Sequence, residues 1–484
     1  MKRIVITFAL LAVLLGAGQL TAQTLRYKLI DLGTFGGPNS SETVEFPYIN
    51  NRGMVVGFAD TDVPDPFNPG GFLPHAFRWQ NGVLTDLGTL AGGHGSFAIW
   101  TNDRGQVVGL SDNGKIDPVL GGPQGRGVLW ESDGSIVNLG TIGGAQSLAV
   151  DINQPGQIVG VAANKIADPF SIFGWSTQTR AVLWQNGKLR DLGTLGGTDA
   201  ATAMINDRGQ IAGFSYTSSD PTSNCFPFDI PVPLATGAFL WERGKMLNLG
   251  GFGGTCTFAG TINNHGEIIG QSNLPGDETA HPFLWSHGVM KDLGTLGGTF
   301  GVATWLNDSG EVAGGATTAG EEEFHAFFWN DGAMTDLGTV KDDTCSVAHF
   351  MNSKGQISGT SGDCAGEVHG FLWQPGGSMI DLNDFVPPGS DLTITDGETI
   401  NDRGEIAGSG LLPNGDFHAV VLIPCDDEHG DSEGCQDAAA AAQTGSESVA
   451  RTRGRLTPET LSALRNRIFR RYPGLNGWAT RKPR

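Results

Sequence analysis

The sequence predicts an all-β chain of four-stranded repeats that closes into an eight-bladed β-propeller, and three observations carry that expectation. First, three short phrases recur eight times in fixed order: an Asn-containing turn, an apolar strand ending in Trp, and a strand ending in Asp-Leu-Gly. Second, the turn glycines fall at 53, 105, 156, 209, 266, 310, 355 and 404, a period of about 50 residues, the length of a propeller blade rather than of a leucine-rich repeat. Third, the composition is that of a folded, turn-rich β protein, with 74 Gly and 24 Pro in 484 residues, only 17% charged and 39% hydrophobic.

In chain order, Lys2 and Arg3 ahead of an apolar run from Ile4 to Leu15 read as a secretory signal spanning 1–22, with cleavage after Ala22 and a mature start near Gln23. No later stretch has the roughly 20 consecutive apolar residues of a membrane-spanning helix. The expected location is therefore extracellular or periplasmic.

The body, 23–425, is the expected propeller. Its turns, such as Ile205-Asn206-Asp207-Arg208-Gly209, place Asn or Asp before Gly between apolar runs, where the positive φ of a hairpin turn is tolerated. The Trp phrase is clearest at His325-Ala326-Phe327-Phe328-Trp329, and Trp79, Trp130, Trp184, Trp241, Trp285 and Trp373 end its relatives. A final variant, His418 to Leu422, lacks the Trp. Each repeat thus holds four strands, the content of one blade. The chain begins with a lone fourth-type strand, Tyr27 to Leu32, and the last repeat stops at its third, His418 to Ile423. The first strand is expected to complete the last blade and remove the open sheet edges.

The His-Ala-Phe-x-Trp, Asp-Leu-Gly-Thr-Leu-Gly-Gly and Ile-Asn-x-x-Gly phrases resemble the HAF family of bacterial extracellular repeats over about residues 25 to 424. Individual repeats depart from the pattern: Arg126 and Arg180 replace the His, and Thr339-Val340-Lys341-Asp342 replaces Thr-Leu-Gly-Gly. The resemblance implies export and repetition, and no particular activity.

Six cysteines, at 225, 256, 345, 364, 425 and 435, lack CxxC spacing and suit structural disulfides in an oxidising compartment. Of the 15 possible pairings, the nearest-neighbour set is expected: Cys225 with Cys256, Cys345 with Cys364 and Cys425 with Cys435. Each would staple a local loop.

The turns of one propeller face are short and uniform. On the other, long connections run over 58–74, 110–126, 161–180 and 214–236, in consecutive repeats, as a raised half-rim. They carry Phe67, Phe72, Phe170, Phe173, Trp175, Tyr216, Phe226 and Phe228. These aromatics are candidates for contact with an extracellular glycan, a peptide or an envelope component. The competing reading has them folding back as satellite cores.

No GxSxG, HExxH, GxxxxGK or strand-to-helix GxGxxG is present. His75, His281, His325, His369 and His418 sit at one repeat position, as packing predicts and an asymmetric active site does not. The Asp of Asp-Leu-Gly (31, 86, 191, 292, 336 and 381) is replaced by Asn138 and Asn248 in two repeats, so its job is a turn rather than acid–base chemistry. Acidic loops at Asp112 to Asp117 and Asp426 to Asp431 match no EF-hand, and no cofactor is expected. Residues 24–447 hold 18 Lys/Arg against 50 Asp/Glu, which excludes nucleic acid as a natural partner.

After Cys425 an acid- and Ala-rich linker, 426–456, leads to a basic tail, 457–484. Its Thr457-Pro458-Glu459 start and Leu461, Leu464 and Ile468 stripe predict a short amphipathic helix. Such a helix suits docking on the acidic propeller or an anionic surface, or it stays a frayed, solvated tail. The function that follows is a non-catalytic secreted binding scaffold. The alternatives are a propeller hydrolase or lyase with a non-repeating site in the axial funnel, and a self-assembling structural surface protein.

Overall fold

A computed structural model describes residues 25–41, 47–218, 235–320, 323–341, 343–363, 368–426 and 435. The expected signal peptide, the Phe226 and Phe228 loop and the basic tail lie outside the described residues.

The described chain is all-β apart from one 3₁₀ turn, Leu382–Phe385, and its sheets are four-stranded antiparallel meanders arranged as a β-propeller. The first unit runs Tyr48–Ile49, Val55–Pro64, Phe72–Gln80 and Val83–Asp86. The second is Ser96–Thr101, Val107–Ile116, Pro123–Trp130 and Ile136–Asn138. The third is Ser147–Ile152, Ile158–Ala167, Thr177–Gln185 and Lys188–Asp191. The fourth is Ala200–Ile205, Ile211–Tyr216, Thr236–Glu242 and Lys245–Asn248. Three more, starting at Thr257–Ile262, Gly297–Leu306 and Cys345–Met351, share a twelve-stranded sheet. Single parallel bridges, Ala280 to Phe300 and Phe324 to Cys345, join them. The last unit is Thr393–Ile400, Ile406–Leu411 and Phe417–Pro424. Its fourth strand is the N-terminal Tyr27–Asp31, in register from Tyr27 opposite Pro424 to Asp31 opposite Val420.

A sheet of this kind has two apolar faces and nothing in its own unit to cover them, so the core forms between units. One cluster sets Met54, Val56 and Ala76 of the first unit against Ala98, Val107 and Trp130 of the second. Equivalent clusters join each later pair. Another packs Ile49, Val55, Phe77 and Trp79 of the first unit on Ala407, Ala419 and Val421 of the last. All seven repeat tryptophans are buried in these wedges.

The turn asparagines bind unit to unit. Asn206 Oδ1 accepts from Arg208 N and Gln210 N in its own turn, and its Nδ2 donates to Asn263 O of the next unit at 2.9 Å. The same link, at 2.9 to 3.4 Å, runs from Asn50 to Asn102, Asn153, Asn206, Asn263, Asn307, Asn352 and Asn401. The eighth, Asn401 Nδ2 to Asn50 O at 2.9 Å, returns to the first turn.

The repeated His and Asp prove to be partners. His75, His281, His325, His369 and His418 each place Nδ1 2.8 to 3.1 Å from Asp86, Asp292, Asp336, Asp381 and Asp31. The Asp also makes the expected turn, as in Gly88 N to Asp86 Oδ1 at 2.7 Å. In the two units where Asn138 and Asn248 stand for Asp, the His position holds Arg126 and Gly237. Arg126 donates instead to Gly125 O and Gln124 Oε1, and Gly237 has no side chain to pair.

Cys425 and Cys435 form a disulfide, as expected. Cys256 and Cys345 are also disulfide-bonded, and their expected partners, Cys225 and Cys364, lie outside the described residues.

Replacing the buried Asn206 by Asp removes both Nδ2 donations and sets carboxylate oxygen against Asn263 O and Gln210 Oε1. Chemical denaturation is expected to show a loss of about 1–3 kcal/mol. Asp207→Asn, which keeps the acceptor for Gln154 N, should stay within about 0.5 kcal/mol.

The terminal His418–Asp31 pair gives a pH signature. The hydrogen bond that His418 donates to Asp31 and the Asp31 charge outweigh burial and raise the His418 pKa. Burial pushes Asp31 up, but the His418 hydrogen bond, Gly33 N and the His418 charge bring it below its ordinary value. The His contribution is therefore complete below about pH 6.5 and is lost as pH rises through the raised value, while the Asp contribution is lost in acid. His418→Gln is expected to lower the melting temperature at pH 6 and to leave it near wild type at pH 9.

Candidate functional site

Two regions break the repeat: the connections between second and third strands in units one to three, and the axis. The first three long connections are not irregular loops. Their flanking strands extend into β-ribbons, with Pro64 opposite Phe72, Ile116 opposite Pro123 and Ala167 opposite Thr177. An Asp-Pro loop closes each one. Asp65, Asp117 and Asp168 donate N–H to Gly71 O, Gly122 O and Ser176 O, and their Oδ1 atoms accept from Phe67, Val119 and Phe170 N. One loop design is thus presented three times, side by side.

The candidate aromatics separate into two groups. Phe173, Trp175 and Tyr216 are buried; the first two stack at 5.2 Å between centroids and pack with Phe58, Phe97, Leu110, Leu148 and Val161. They are a satellite core under the ribbons, and burial removes them as ligand contacts. Phe67 and Phe72 are half-buried. Phe170 stays 39% exposed. Sequence reading missed the aliphatic neighbours: Val63, Ile116, Val119 and Ile166 are between 47% and 67% exposed at the ribbon tips. The signal lay in the spacing from the Asp-Pro pairs, since Phe67, Val119 and Phe170 each stand two residues after the Asp. Lys115 and Lys165 are exposed beside this ridge.

At the axis, on the face of the Asn turns, a cavity of about 270 Å³ is floored by Tyr48, Trp100, Trp305 and Phe350. Tyr48 stacks on Trp100 at 3.6 Å and Trp305 on Phe350 at 3.5 Å between centroids, which plugs the opening. Burial first, then the charges of Asp151, Asp103 and Asp402, push the Tyr48 hydroxyl far up. Each inner strand from the second unit onward carries a β-bulge at this depth. The bulged residues are Ile99, Val150, Ala203, Gly260, Thr304, His349 and Glu398. The last two are ionisable and pair at 2.6 Å. Burial lowers the His349 pKa, but the Glu398 charge and hydrogen bond override it and the net shift is upward. Burial, with Glu398 adding, pushes neighbouring Asp396 up to about 7, and its Oδ1 accepts from Ser409 N. These groups converge without repeating. They also satisfy one another, which makes them a structural network as they stand.

Asp112 and Asp117 are occupied by their own loops: Asp112 accepts from His94, Gly95 and Gly114 N, and Asp117 from Val119 N, Leu120 N and Gln146 Nε2. Among the described residues no group of three His, Cys, Asp or Glu side chains is placed to hold a metal. No helix among them is long and apolar enough to cross a membrane.

No protein-family model matches the chain, and no curated protein matches it. Among solved structures it is similar to the β-propeller domain of the Trilobed protease from Pyrococcus furiosus, at 10% identity and a TM-score of 0.41, over 71% of this chain and all of that one. It is also similar to a puromycin hydrolase, at 12% identity and a TM-score of 0.42, over 82% of this chain. The chain spans about half of that hydrolase, 53% of its length. TolB from Acinetobacter baumannii matches at 12% identity and a TM-score of 0.33, over 76% of this chain and 79% of that one. Similarities this distant carry no argument about activity or ligand.

The division into core and surface is directly measurable. Trp175→Ala is expected to cost about 3–5 kcal/mol in denaturant unfolding. Phe170→Ala, on the exposed side of the same loop, should cost less than about 1 kcal/mol.

Proposed function

We propose that the protein is a secreted, non-catalytic repeat scaffold of the HAF type, a closed eight-bladed propeller that binds an apolar segment of a protein partner across the ribbon tips of blades one to three. The eight-bladed ring is supported by the Asn401 to Asn50 bond, by the wedge core shared between first and last units, and by the pairing of Tyr27–Asp31 with the final strand. Export fits the disulfides.

The observation that carries the binding reading is the ridge itself. Val63, Ile116, Val119, Ile166 and Phe170 are half of the large apolar side chains exposed among the described residues, and three neighbouring ribbons hold them all. Monomeric proteins seldom leave such a set uncovered without use. A mainly aliphatic ridge suits apolar peptide side chains better than a sugar, because Phe173 and Trp175, the stacked aromatics of the third loop, are buried beneath it. The axial hydrolase reading has one point in its favour, the convergence of His349, Glu398 and Asp396, but none of the three lines the cavity of the Asn-turn face.

The test is peptide display panned on the mature protein, with enriched sequences then measured by calorimetry. Binding to apolar peptides is expected, and Ile116→Glu with Ile166→Glu should weaken it at least about tenfold, since a buried aliphatic side chain contributes about 1.5–3 kcal/mol. Equal affinity for wild type and variant, or enrichment of no peptide, overturns the assignment. A glycan array run in parallel separates the sugar-binding alternative.

A further inference from the structure

The second and third ribbons are built alike but are latched differently. In the second, Asp117 Oδ1 caps the loop and Asp117 Oδ2 accepts from Gln146 Nε2 of the next unit at 3.0 Å. In the third, Asp168 Oδ1 caps the loop through Phe170 N at 2.8 Å, but the residue that stands where Gln146 stands is Asp199. Asp199 Oδ2 accepts from Ile172 N at 2.9 Å. Its Oδ1 and Asp168 Oδ2 are buried oxygens with no hydrogen bond to any donor. The side chains are 0% and 4% exposed. A second carboxyl stands where the second ribbon has an amide, and two buried acceptors that face one another require a proton between them.

We infer that Asp199, facing Asp168, forms a proton-operated latch that closes the third ribbon while Asp199 carries a proton and releases residues 168–176 when Asp199 ionises. The ribbon contributes Asp168. Strand Thr177–Gln185 contributes Thr179, whose backbone N–H with that of Ile172 favours ionised Asp199 and is outweighed by burial, and strand Ile211–Tyr216 contributes Tyr216, whose hydroxyl donates to Phe170 O at 3.1 Å. Burial, with the nearby Asp199 and Asp168 charges, holds that hydroxyl protonated. Among the described residues no Lys, Arg or His pairs with either carboxyl.

Burial first, with the Asp168 charge adding, raises the Asp199 pKa from 3.8 to about 7. The closed ribbon therefore holds its proton more tightly than the open one. Closure is strongest below the ordinary carboxylate range and weakens as pH rises from about 4 to about 7; above that the full penalty applies. A shift of about three units bounds the change in the closing equilibrium at about 10³-fold. Release would displace Phe170 from the ridge and uncover Phe173 and Trp175. That consequence for binding rests on the proposed partner site, whereas the latch does not.

Hydrogen–deuterium exchange on the full secreted chain at pH 5, 7 and 9, corrected for intrinsic rates, tests it. Residues 168–176 are expected to lose at least about tenfold protection between pH 5 and 9. Residues 117–122, latched by Gln146, should stay flat and report that the fold is intact. Asp199→Asn restores an amide at this position and should keep 168–176 protected at pH 9. A pH-independent third ribbon in the wild type, or the same step in Asp199→Asn, overturns the latch. Because no partner enters the measurement, a step without peptide binding leaves the latch standing and removes the partner site; binding without a step does the reverse.

Discussion

Every unit of this chain depends on its neighbours because a single four-stranded sheet has two apolar faces and no second layer. The wedge of Val159, Leu183, Ile205, Ile211, Phe239 and Trp241 shows the consequence: the first two come from the third unit and the other four from the fourth, and neither set is a core alone. The ring of turn asparagines follows from the same adjacency. Asn153 can satisfy its amide only if the carbonyl of Asn206 lies beside it, and that carbonyl is held there by the packed wedge. Hydrogen bonds and apolar burial therefore enforce one spacing between units, and the spacing that fits an interior pair also fits the last unit against the first.

What the sequence made legible are the features a single repeat determines by itself. Turn glycines such as Gly209 carry positive φ, and Asn81-Gly82 and Asn186-Gly187 make hairpins with both residues in that region. Asp86 and its counterparts close Asx turns. Less legible was anything that depends on two strands at once. His325 and Asp336 are 11 residues apart in a hairpin whose register sets Asp336 opposite Phe327, two residues from His325, and a reading that took His as packing and Asp as turn saw both halves without the diagonal bond. The glycine in the middle of each second strand is similar. A Cβ at Gly213 or Gly359 would lie 2.2 Å from Ala201 O or Val347 O on the first strand and 2.7 Å from the Phe239 or Phe371 ring on the third, so the glycine exists for both neighbouring strands. The aromatic loop residues failed for the converse reason: exposure is a tertiary property, and Trp175 and Phe170, five residues apart, end on opposite sides of one loop.

Symmetry also explains where variation is tolerated. Position for position, Ile99, Val150 and Ala203 line the axis in early units, whereas His349 and Glu398 do so later. The pair is accommodated because each answers the other's charge, so two substitutions in adjacent units had to agree. At a ring asparagine, agreement is needed among three turns: its own, the one it donates to and the one that donates to it. Such a position has almost no freedom.

The connections between second and third strands stand at the other extreme. Each Asp-Pro loop closes on itself through its own backbone, and its exposed tip side chains take no part in a wedge between units. Length and side chains can change there without disturbing a wedge or the ring. That independence is what lets exposed aliphatic side chains gather on three consecutive tips while the rest of the unit stays uniform. It also limits where one repeat can acquire a property its siblings lack. The exchange of Gln146 for Asp199 alters how one tip is held and leaves the asparagine ladder beneath it untouched, because the two sites share a strand but no hydrogen bond. A propeller of duplicated units becomes specific at the points that lie outside its wedges and its asparagine ladder.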